Sequence, residues 1–598
     1  MDTSTLLYIK VMIKALGIKK ILKYFYLVFF AILLSSCIAE KKLNVIFILT
    51  DDQGWGDLGV TGNPYLKTPN IDQLANKGAL FTSFYVGPVC SPTRAEILTG
   101  RYHPKSGVYS TSQGGERIDL DETLLPEYFQ ENGYATGAFG KWHNGQQHPY
   151  HPNARGFDEF YGYCSGHLGS YFDADLEHNG TFVRSKGYLT DVLTNKALTF
   201  IEENQNNPFF VFLPLNTPHS PMQVPDKWWN KFKDIDLNES MSEVEKNHTR
   251  AAYAMIENID WNVGKIIEKL EALNISKNTL VVFLGDNGPN GNRWNDSLKG
   301  IKGSTDEGGV KSSLIMYLPG KIKKAEISQL SGSIDLAPTL IDLANIESFE
   351  HNMDGISLSS FLKGNKSQNN RALFQHWFGN VSVRIPTFRL DKDNILYNID
   401  LDPKQLKPIE NKRLKDSLIN LKQEWIDEVL SQTPKIDKRP IPITGNNKLI
   451  SVLPARDARL HGDKIKRSNR WPNDSFLFEW DSNDSYAYWP VEVEKSGYYE
   501  VSVYCTTSNE AKGTKILVYA DDDFVSTEIV DVFDPSLRGF EHDRVIRNES
   551  YVKDFKKVDL PNIYLEKGSI EIKLKKQSRG DVHGVDFKML VLSSLIDL

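Results

Sequence analysis

The sequence predicts an α/β domain with a doubly wound mixed sheet, then a small α+β subdomain, then an all-β sandwich. Three observations lead there. Continuous apolar runs of strand length, Leu43 to Thr50, Phe209 to Leu215 and Leu280 to Leu284, each run into a polar turn that carries Asp, His or Asn. Uninterrupted apolar strands are those buried on both faces, and open α/β sheets present ligands at the carboxyl edge of their strands. Helical spacing fills the intervals: Thr68 to Gly78 is one short helix, and Arg250 to Leu273 repeats Ile256, Ile259, Val263, Ile266, Ile267 and Leu270, an alternation of strand and helix that argues for double winding. From about Leu449 the period changes to two, in Tyr499/Val501/Val503/Cys505, Ile516/Val518 and Ile570/Ile572/Leu574, which is the pattern of a β-sandwich.

At 598 residues the chain exceeds one average domain, and 40% hydrophobic with 25% charged residues is ordinary globular composition. The formal net charge of -7 offers no general attraction to nucleic acid, so positive charge for an anionic substrate has to be concentrated locally. Residues 1–37 stand apart. Lys10, Lys14, Lys19, Lys20 and Lys23 form a basic region, and Tyr24 to Leu34 is an apolar run of signal-peptide rather than membrane-spanning length. Leu34-Ser35-Ser36-Cys37 resembles a bacterial lipobox, which implies cleavage before Cys37, lipidation of that residue and a lipid anchor. The alternative is an ordinary signal peptide, and either reading predicts export to the periplasm or cell surface.

The stretch Cys90-Ser91-Pro92-Thr93-Arg94 follows Gly87-Pro88 and opens the run Ala95 to Tyr102. Pro92 suits a first helical turn, where its missing N–H costs nothing, so Cys90 is expected at a helix N-terminus, whose free amides and macrodipole favour an anion. By itself a cysteine is more often a small buried hydrophobe. Asp51 and Asp52 follow the first apolar run, and Asp286 and Asn287 follow the third. Such an all-oxygen set suits Ca²⁺ or Mg²⁺ rather than a transition metal, and no paired histidines among them speak for zinc. Gly140-Lys141-Trp142-His143-Asn144-Gly145 follows the short run Ala135 to Phe139; Thr217-Pro218-His219-Ser220-Pro221 follows the second long run; Lys302 opens Lys302-Gly303-Ser304-Thr305-Asp306-Glu307-Gly308-Gly309-Val310.

Cys-x-Pro-x-Arg running into Leu98-Thr99-Gly100-Arg101, with the other segments in this order, resembles the type I sulfatases over about Leu43 to Leu430. The resemblance implies an alkaline-phosphatase-like fold and a sulfuric ester hydrolase. It implies that a maturation enzyme oxidises Cys90 to formylglycine, whose hydrate is the nucleophile and which Arg94 holds. By the same resemblance Asp51, Asp52, Asp286 and Asn287, with residue 90, hold a metal that is generally calcium, and Lys141 and Lys302 hold sulfate oxygens. His143 stands beside the hydrate and His219 faces the leaving oxygen. The last segment departs from the family pattern, with Lys311 where an arginine is common and Ser304-Thr305-Asp306 before the Glu-Gly-Gly, so Lys299 competes with Lys302. With Cys37 and Cys90 so assigned, Cys164 and Cys505 fall in different domains and no disulfide is expected.

The domain boundaries expected are 1–37 for the signal peptide, 38–345 for the catalytic α/β domain, 346–431 for a C-terminal subdomain with short strands and a charged helix around Leu414 to Leu430, 432–447 for a Pro-containing linker, and 448–598 for the sandwich. Trp480, Tyr486, Trp489 and Asp586-Phe587 resemble carbohydrate-binding-module folds; the sandwich either binds glycan or only buttresses the catalytic domain. His167 lies in a loop after Arg155 to Gly162, and Arg293 and Trp294 follow the second metal pair; these suit stacking on a sugar and pairing with a uronate, or else packing. The expected substrate is a sulfated polysaccharide or its oligosaccharides, algal ulvan or carrageenan ahead of animal glycosaminoglycans. Two other classes stay open: a phosphate or phosphonate ester hydrolase of the same fold, and a non-catalytic glycan-capture lipoprotein.

Overall fold

The computed structural model describes residues 2, 4–12, 14–15, 41–347, 352–365, 370–431, 433–434, 436–578 and 584–596. It divides into residues 1–43 and a second unit, Asn44–Leu598. In the first, residues 4–12 and 14–15 are helical, with Leu6, Leu7 and Tyr8 exposed. The expected lipidation site Cys37 and the apolar run before it lie outside the described residues. No helix among the described residues is long and apolar enough to cross a membrane.

The second unit is built on a mixed sheet that has eleven strands among the described residues. Ten of them are β1 (Asn44–Thr50), β2 (Ala79–Tyr85), β3 (Ala135–Lys141), β4 (Glu159–Tyr163), β5 (Asp175–His178), β6 (Thr181–Arg184), β7 (Phe209–Pro214), β8 (Thr279–Gly285), β9 (Lys311–Tyr317) and β10 (Ala325–Ile327). They run in the order β10-β2-β9-β8-β1-β7-β3-β4-β5-β6. The centre, β8-β1-β7-β3-β4, is parallel, whereas β9 is antiparallel to both its neighbours. Every residue of β1, β7 and β8 is buried, as expected of strands covered on both faces. Thr50 pairs with Gly285 and Leu49 with Pro214, so the polar turns after these strands open at one edge.

Helix α1 (Pro69–Lys77) has no side-chain cap of its own; Asp260, on a neighbouring helix, takes the N–H groups of Asn70 and Ile71 at 2.9 and 2.8 Å, satisfying two amides that a helix N-terminus leaves open. Helix α2 (Cys90–Thr99) begins where Val89 turns from extended backbone, and it ends at Gly100, which takes the left-handed φ of 71° that favours glycine. All ten of its residues are buried. Helix α3 (Leu189–Glu203) and the 30-residue α4 (Glu243–Ala272) cover one face. Ser242 and Glu245 close a capping box at the start of α4.

Leu373–Trp377, Asn380–Arg384, Phe388–Leu390 and Leu396–Asn398 form an antiparallel sheet covered by the helix Lys412–Trp425. The sandwich consists of two sheets, each with six strands among the described residues, around a core that contains Trp480 and Trp489. Both indoles are fully buried, so neither presents a face to a glycan. Tyr486 is half-buried and stacks on His461 at 4.5 Å. The linker reading of 432–447 needs correction. Ile441–Ile443 is a strand paired in parallel with Val491–Val493, so the sandwich begins earlier than 448. Its position at the edge of the sheet explains how a strand can contain Pro442, since no ladder partner is needed on the outer side. Arg117 also holds Asp437 at 3.0 Å, which fixes the preceding turn.

Candidate active site

The ends of four parallel strands deliver the site. After β1, Asp51 and Asp52 are buried, and Asp52 takes a φ of 64° so that its N–H reaches Asp286 Oδ1 at 3.0 Å. After β8, Asp286 meets Arg94 at 2.9 Å, and Asn287 donates to Asp52 Oδ1 at 2.8 Å. β3 ends at Lys141, whose Nζ lies 2.6 Å from Asp51 Oδ2. Lys302 approaches Asp52 Oδ1 to 2.7 Å. Cys90, at the first residue of α2, sits so that its sulfur and an oxygen each from Asp51 and Asp286 lie within 4.8 Å of one another. Arg94, one turn on, donates to the Lys141 carbonyl at 2.6 Å as well as to Asp286, so it ties the helix to two strand ends. Asn144 holds the same helix from outside through the Ser91 carbonyl and hydroxyl.

Buried charges determine the electrostatics. Burial is the largest influence and raises both carboxyls, but Lys141, His219 and Arg94 together outweigh it at Asp51, and Lys302, His219 and the Asn287 hydrogen bond together outweigh it at Asp52, so both are held below the usual carboxylate range. Asp286 is pushed up to about 7, first by burial and then by Asp51. Burial also raises the Cys90 thiol, so the unmodified thiol is a poor nucleophile. Asp51 Oδ1 and Asn287 Oδ1 are buried acceptors with no hydrogen-bond partner. Two such oxygens beside the carboxylates of Asp51, Asp52 and Asp286 fit a hard divalent cation, Ca²⁺ or Mg²⁺.

His143 has a φ of 64° and donates from Nε2 to the Thr111 carbonyl at 2.8 Å, which leaves Nδ1 buried and unpartnered. Burial, then Lys141, keeps this ring neutral, well below the usual histidine range. Gly166 is required beside it, because a Cβ there would stand 2.2 Å from His143 Nε2. His219 donates from Nδ1 to the Ser220 carbonyl at 2.6 Å and turns Nε2 toward Asp52, 3.7 Å away.

The family described as Sulfatase matches residues 43–346 of this sequence. The chain belongs to the sulfatase family. A second family, described as N-sulphoglucosamine sulphohydrolase, C-terminal, matches residues 303–429. N-acetylgalactosamine-6-sulfatase of Mus musculus is 35% identical over 368 residues, covering 54% of this chain and 67% of that protein. The uncharacterized sulfatase YdeN of Escherichia coli is 31% identical over 408 residues, covering 58% of this chain and 71% of that protein. Among solved structures, Ps i-CgsB in complex with k-i-k-neocarrahexaose superposes with a TM-score of 0.61 at 30% identity, over 67% of this chain and 95% of that one. A complex of BT4656 with D-glucosamine-2-N,6-O-disulfate shares the fold, with a TM-score of 0.57 at 22% identity over 67% of this chain and 100% of that one. The protein is thus a sulfuric ester hydrolase with an alkaline-phosphatase-like fold and an added all-β region.

Within this sulfatase the residues singled out at the strand ends, the helix start and Lys302 converge, whereas most of the expected substrate contacts do not. Arg293 is a correction: its guanidinium holds Asp57 at 2.6 Å and the Asp52 carbonyl at 2.6 Å with a side chain 1% exposed, so it supports the Asp52 turn and cannot reach a uronate. Lys299 sits at 3.3 Å from Asp306 and 3.5 Å from Asp391, which leaves the lysine position beside Asp52 to Lys302. Trp294 rests its ring edge over Gly62. His167 does stand at the site, its ring 5.7 Å from that of His219 and both its nitrogens buried without partners.

Three more residues carry no mark in the sequence. His248, at the start of α4, is largely buried beside Arg293, which after burial itself lowers it to about 4. Asn473 of the sandwich donates to the same Thr111 carbonyl that His143 uses, at 3.0 Å. Glu549, also of the sandwich, accepts from the Ser220 hydroxyl at 2.5 Å. No periodicity or motif singles out any of them.

Proposed function

We propose that this sulfatase hydrolyses sulfate esters of a sulfated polysaccharide or its oligosaccharides, algal polymers such as carrageenan foremost, with formylglycine made from Cys90 as nucleophile. The observation that carries the reading is the meeting of Cys90, at an anion-favouring helix start, with two lysines, two histidines and a carboxylate cluster that has unpartnered oxygens. The sugar-complexed carrageenan relative at 30% identity supports the substrate class.

Asp51, Asp52, Asp286, Asn287 and residue 90 would hold Ca²⁺, which supplies positive charge to the sulfate oxygens when bound. Lys141 and Lys302 orient the sulfate and stabilise charge on its equatorial oxygens. One hydroxyl of the aldehyde hydrate attacks sulfur as the bond to the sugar oxygen breaks. His219 gives that oxygen a proton, which a poor alkoxide leaving group needs. Burial and Lys302 lower His219 in the free protein; a sulfate placed on Lys302 offsets that cation and raises the proton affinity of the ring. The neutral His143, its free Nδ1 serving as acceptor, takes the proton from the remaining hydroxyl; the carbon–oxygen bond to sulfate then breaks and the aldehyde returns. Arg94 holds α2 in register throughout. The protein would need a maturation enzyme, and export with a lipid anchor at Cys37 would bring it to extracellular polymer.

Full-length protein co-expressed with a maturation enzyme should carry an aldehyde at residue 90 by mass spectrometry and release inorganic sulfate from at least one member of a panel of algal and animal oligosaccharides. A converted protein inert toward the whole panel and toward aryl sulfates would overturn the reading.

A further inference from the structure

A loop of the sandwich, residues 538–552, is seated on the segment that follows His219. Gln223 pairs with Asp543 as an isolated bridge, and its amide donates to Asp543 Oδ1 at 2.8 Å. The Arg544 N–H donates to the Met222 carbonyl at 3.0 Å, and His542 stacks on Phe172 with centroids 3.9 Å apart. Arg547 spends its guanidinium on Asp543 and on the carbonyls of Gly169, Gly539 and Ser550. Asp474 is likewise spent, on Lys588 and the Gly169 N–H. Glu549 is therefore carried to Ser220, the neighbour of His219, by a loop anchored on both sides.

The Ser220 that Glu549 holds also takes the His219 Nδ1–H on its carbonyl, and the His167 ring lies 5.7 Å from that of His219; burial makes both rings less basic. Among the described residues Glu549 makes no ion pair with lysine or arginine. His167 is 6% exposed and leaves both ring nitrogens unpartnered. A buried side chain with two open polar atoms, near a carboxylate that has no lysine or arginine against it, is a polar surface that lacks its ligand. The sulfate position is already served by Lys141, Lys302 and α2, so the group that completes this surface belongs to the leaving side.

Resting on the sulfatase reading above, we propose that Glu549 and His167 form the subsite for the sugar released by the reaction, and that Glu549 selects an uncharged sugar bearing free hydroxyls. A carboxylate accepts hydrogen bonds from such hydroxyls, and charge-assisted bonds of this kind are the stronger sort. The same charge opposes a uronate or a second sulfate ester at that position, and rejection by a misplaced like charge is an efficient source of specificity. The sandwich thus contributes a specificity-determining residue to the catalytic pocket, in a part of the chain outside the region matched by the family.

The test uses matured full-length protein and three substrates: a sulfated neutral-hexose disaccharide, a sulfated uronate-containing disaccharide and 4-nitrophenyl sulfate. Wild type should favour the neutral sugar. Glu549→Gln should lower the ratio of kcat/KM on the neutral disaccharide to that on the aryl sulfate by about tenfold, the effect of one charge-assisted hydrogen bond, and should narrow the preference for neutral over uronate. Ser220→Ala, which removes the hydroxyl that positions the carboxylate without removing the carboxylate, should shift the first ratio the same way by less. Equal losses on all three substrates would mark Glu549 as merely structural and overturn the proposal, as would a wild-type preference for the uronate. Wild type that cleaves the aryl sulfate while neither ratio moves overturns this inference alone; wild type that releases no sulfate from any of the three overturns the sulfatase reading and this proposal with it.

Discussion

Glu96 shows how a single buried group can give this protein a pH dependence unconnected to its chemistry. It lies in α2, accepts from the Ser333 hydroxyl, and is pushed up to about 7, chiefly by burial. A carboxyl with a raised folded-state pKa binds more protons when folded, so its contribution is fully present below the unfolded value near 4.5 and is lost as pH rises through about 7. The expected loss is at most about 3 to 4 kcal/mol, since each tenfold change in proton affinity is worth about 1.4 kcal/mol. Denaturant titrations of Glu96→Gln from acid to neutral pH should lack that part of the fall seen in wild type; parallel curves would refute it. At this scale, legibility follows position. Asp51, His143, His219 and Asp286 each come shortly after a strand whose apolar run announces it. Arg293 and Lys299 are charges without such a mark, and only packing reveals that Asp57 and Asp391 claim them. Glu549 and Asn473 are remote in sequence from His219 and His143, and no local pattern points across that interval.

Strand β3 is the element on which most of the candidate chemistry hangs, since it carries Lys141 at its end and His143 just beyond. Gly140 has a φ of 141°, and a Cβ there would stand 2.0 Å from the Pro214 carbonyl of β7. Both the backbone conformation and the backbone obstacle oppose any side chain. Gly140→Ala should therefore separate β3 from β7 and displace Lys141 and His143 together. The expected result is soluble protein with sulfate release reduced at least about a hundredfold, in line with the sensitivity of catalysis to misplacements near 1 Å; near wild-type turnover would contradict it. Elements are the most legible level: the apolar runs mark the parallel centre, and the 3.6-residue period marks α4, which extends further toward its N-terminus, to Glu243. The segment 432–447 reads as a linker because Pro440 and Pro442 signal one, while an edge strand tolerates proline.

At the scale of the molecule, the sandwich completes the rim around the site. Arg456 reaches Glu116 at 3.1 Å in a buried pair, Asn473 shares the Thr111 carbonyl with His143, and Glu549 stands beside His219. A choice between a glycan-binding module and a buttress is therefore too narrow, because buried Trp480 and Trp489 speak against surface stacking while the loops approach the catalytic pocket. Periodicity identifies such a domain but carries no information about which of its loops touches what. The function proposed for this chain depends on Cys90 being converted to formylglycine. The most direct measurement compares matured wild type with Cys90→Ala on matched sulfate and phosphate esters of one sugar, reading inorganic sulfate and inorganic phosphate in parallel. Sulfate release by wild type is expected well above phosphate release, with loss of sulfate release in Cys90→Ala. Phosphate turnover exceeding sulfate turnover by the aldehyde-bearing protein, or sulfate release that survives Cys90→Ala, would contradict it.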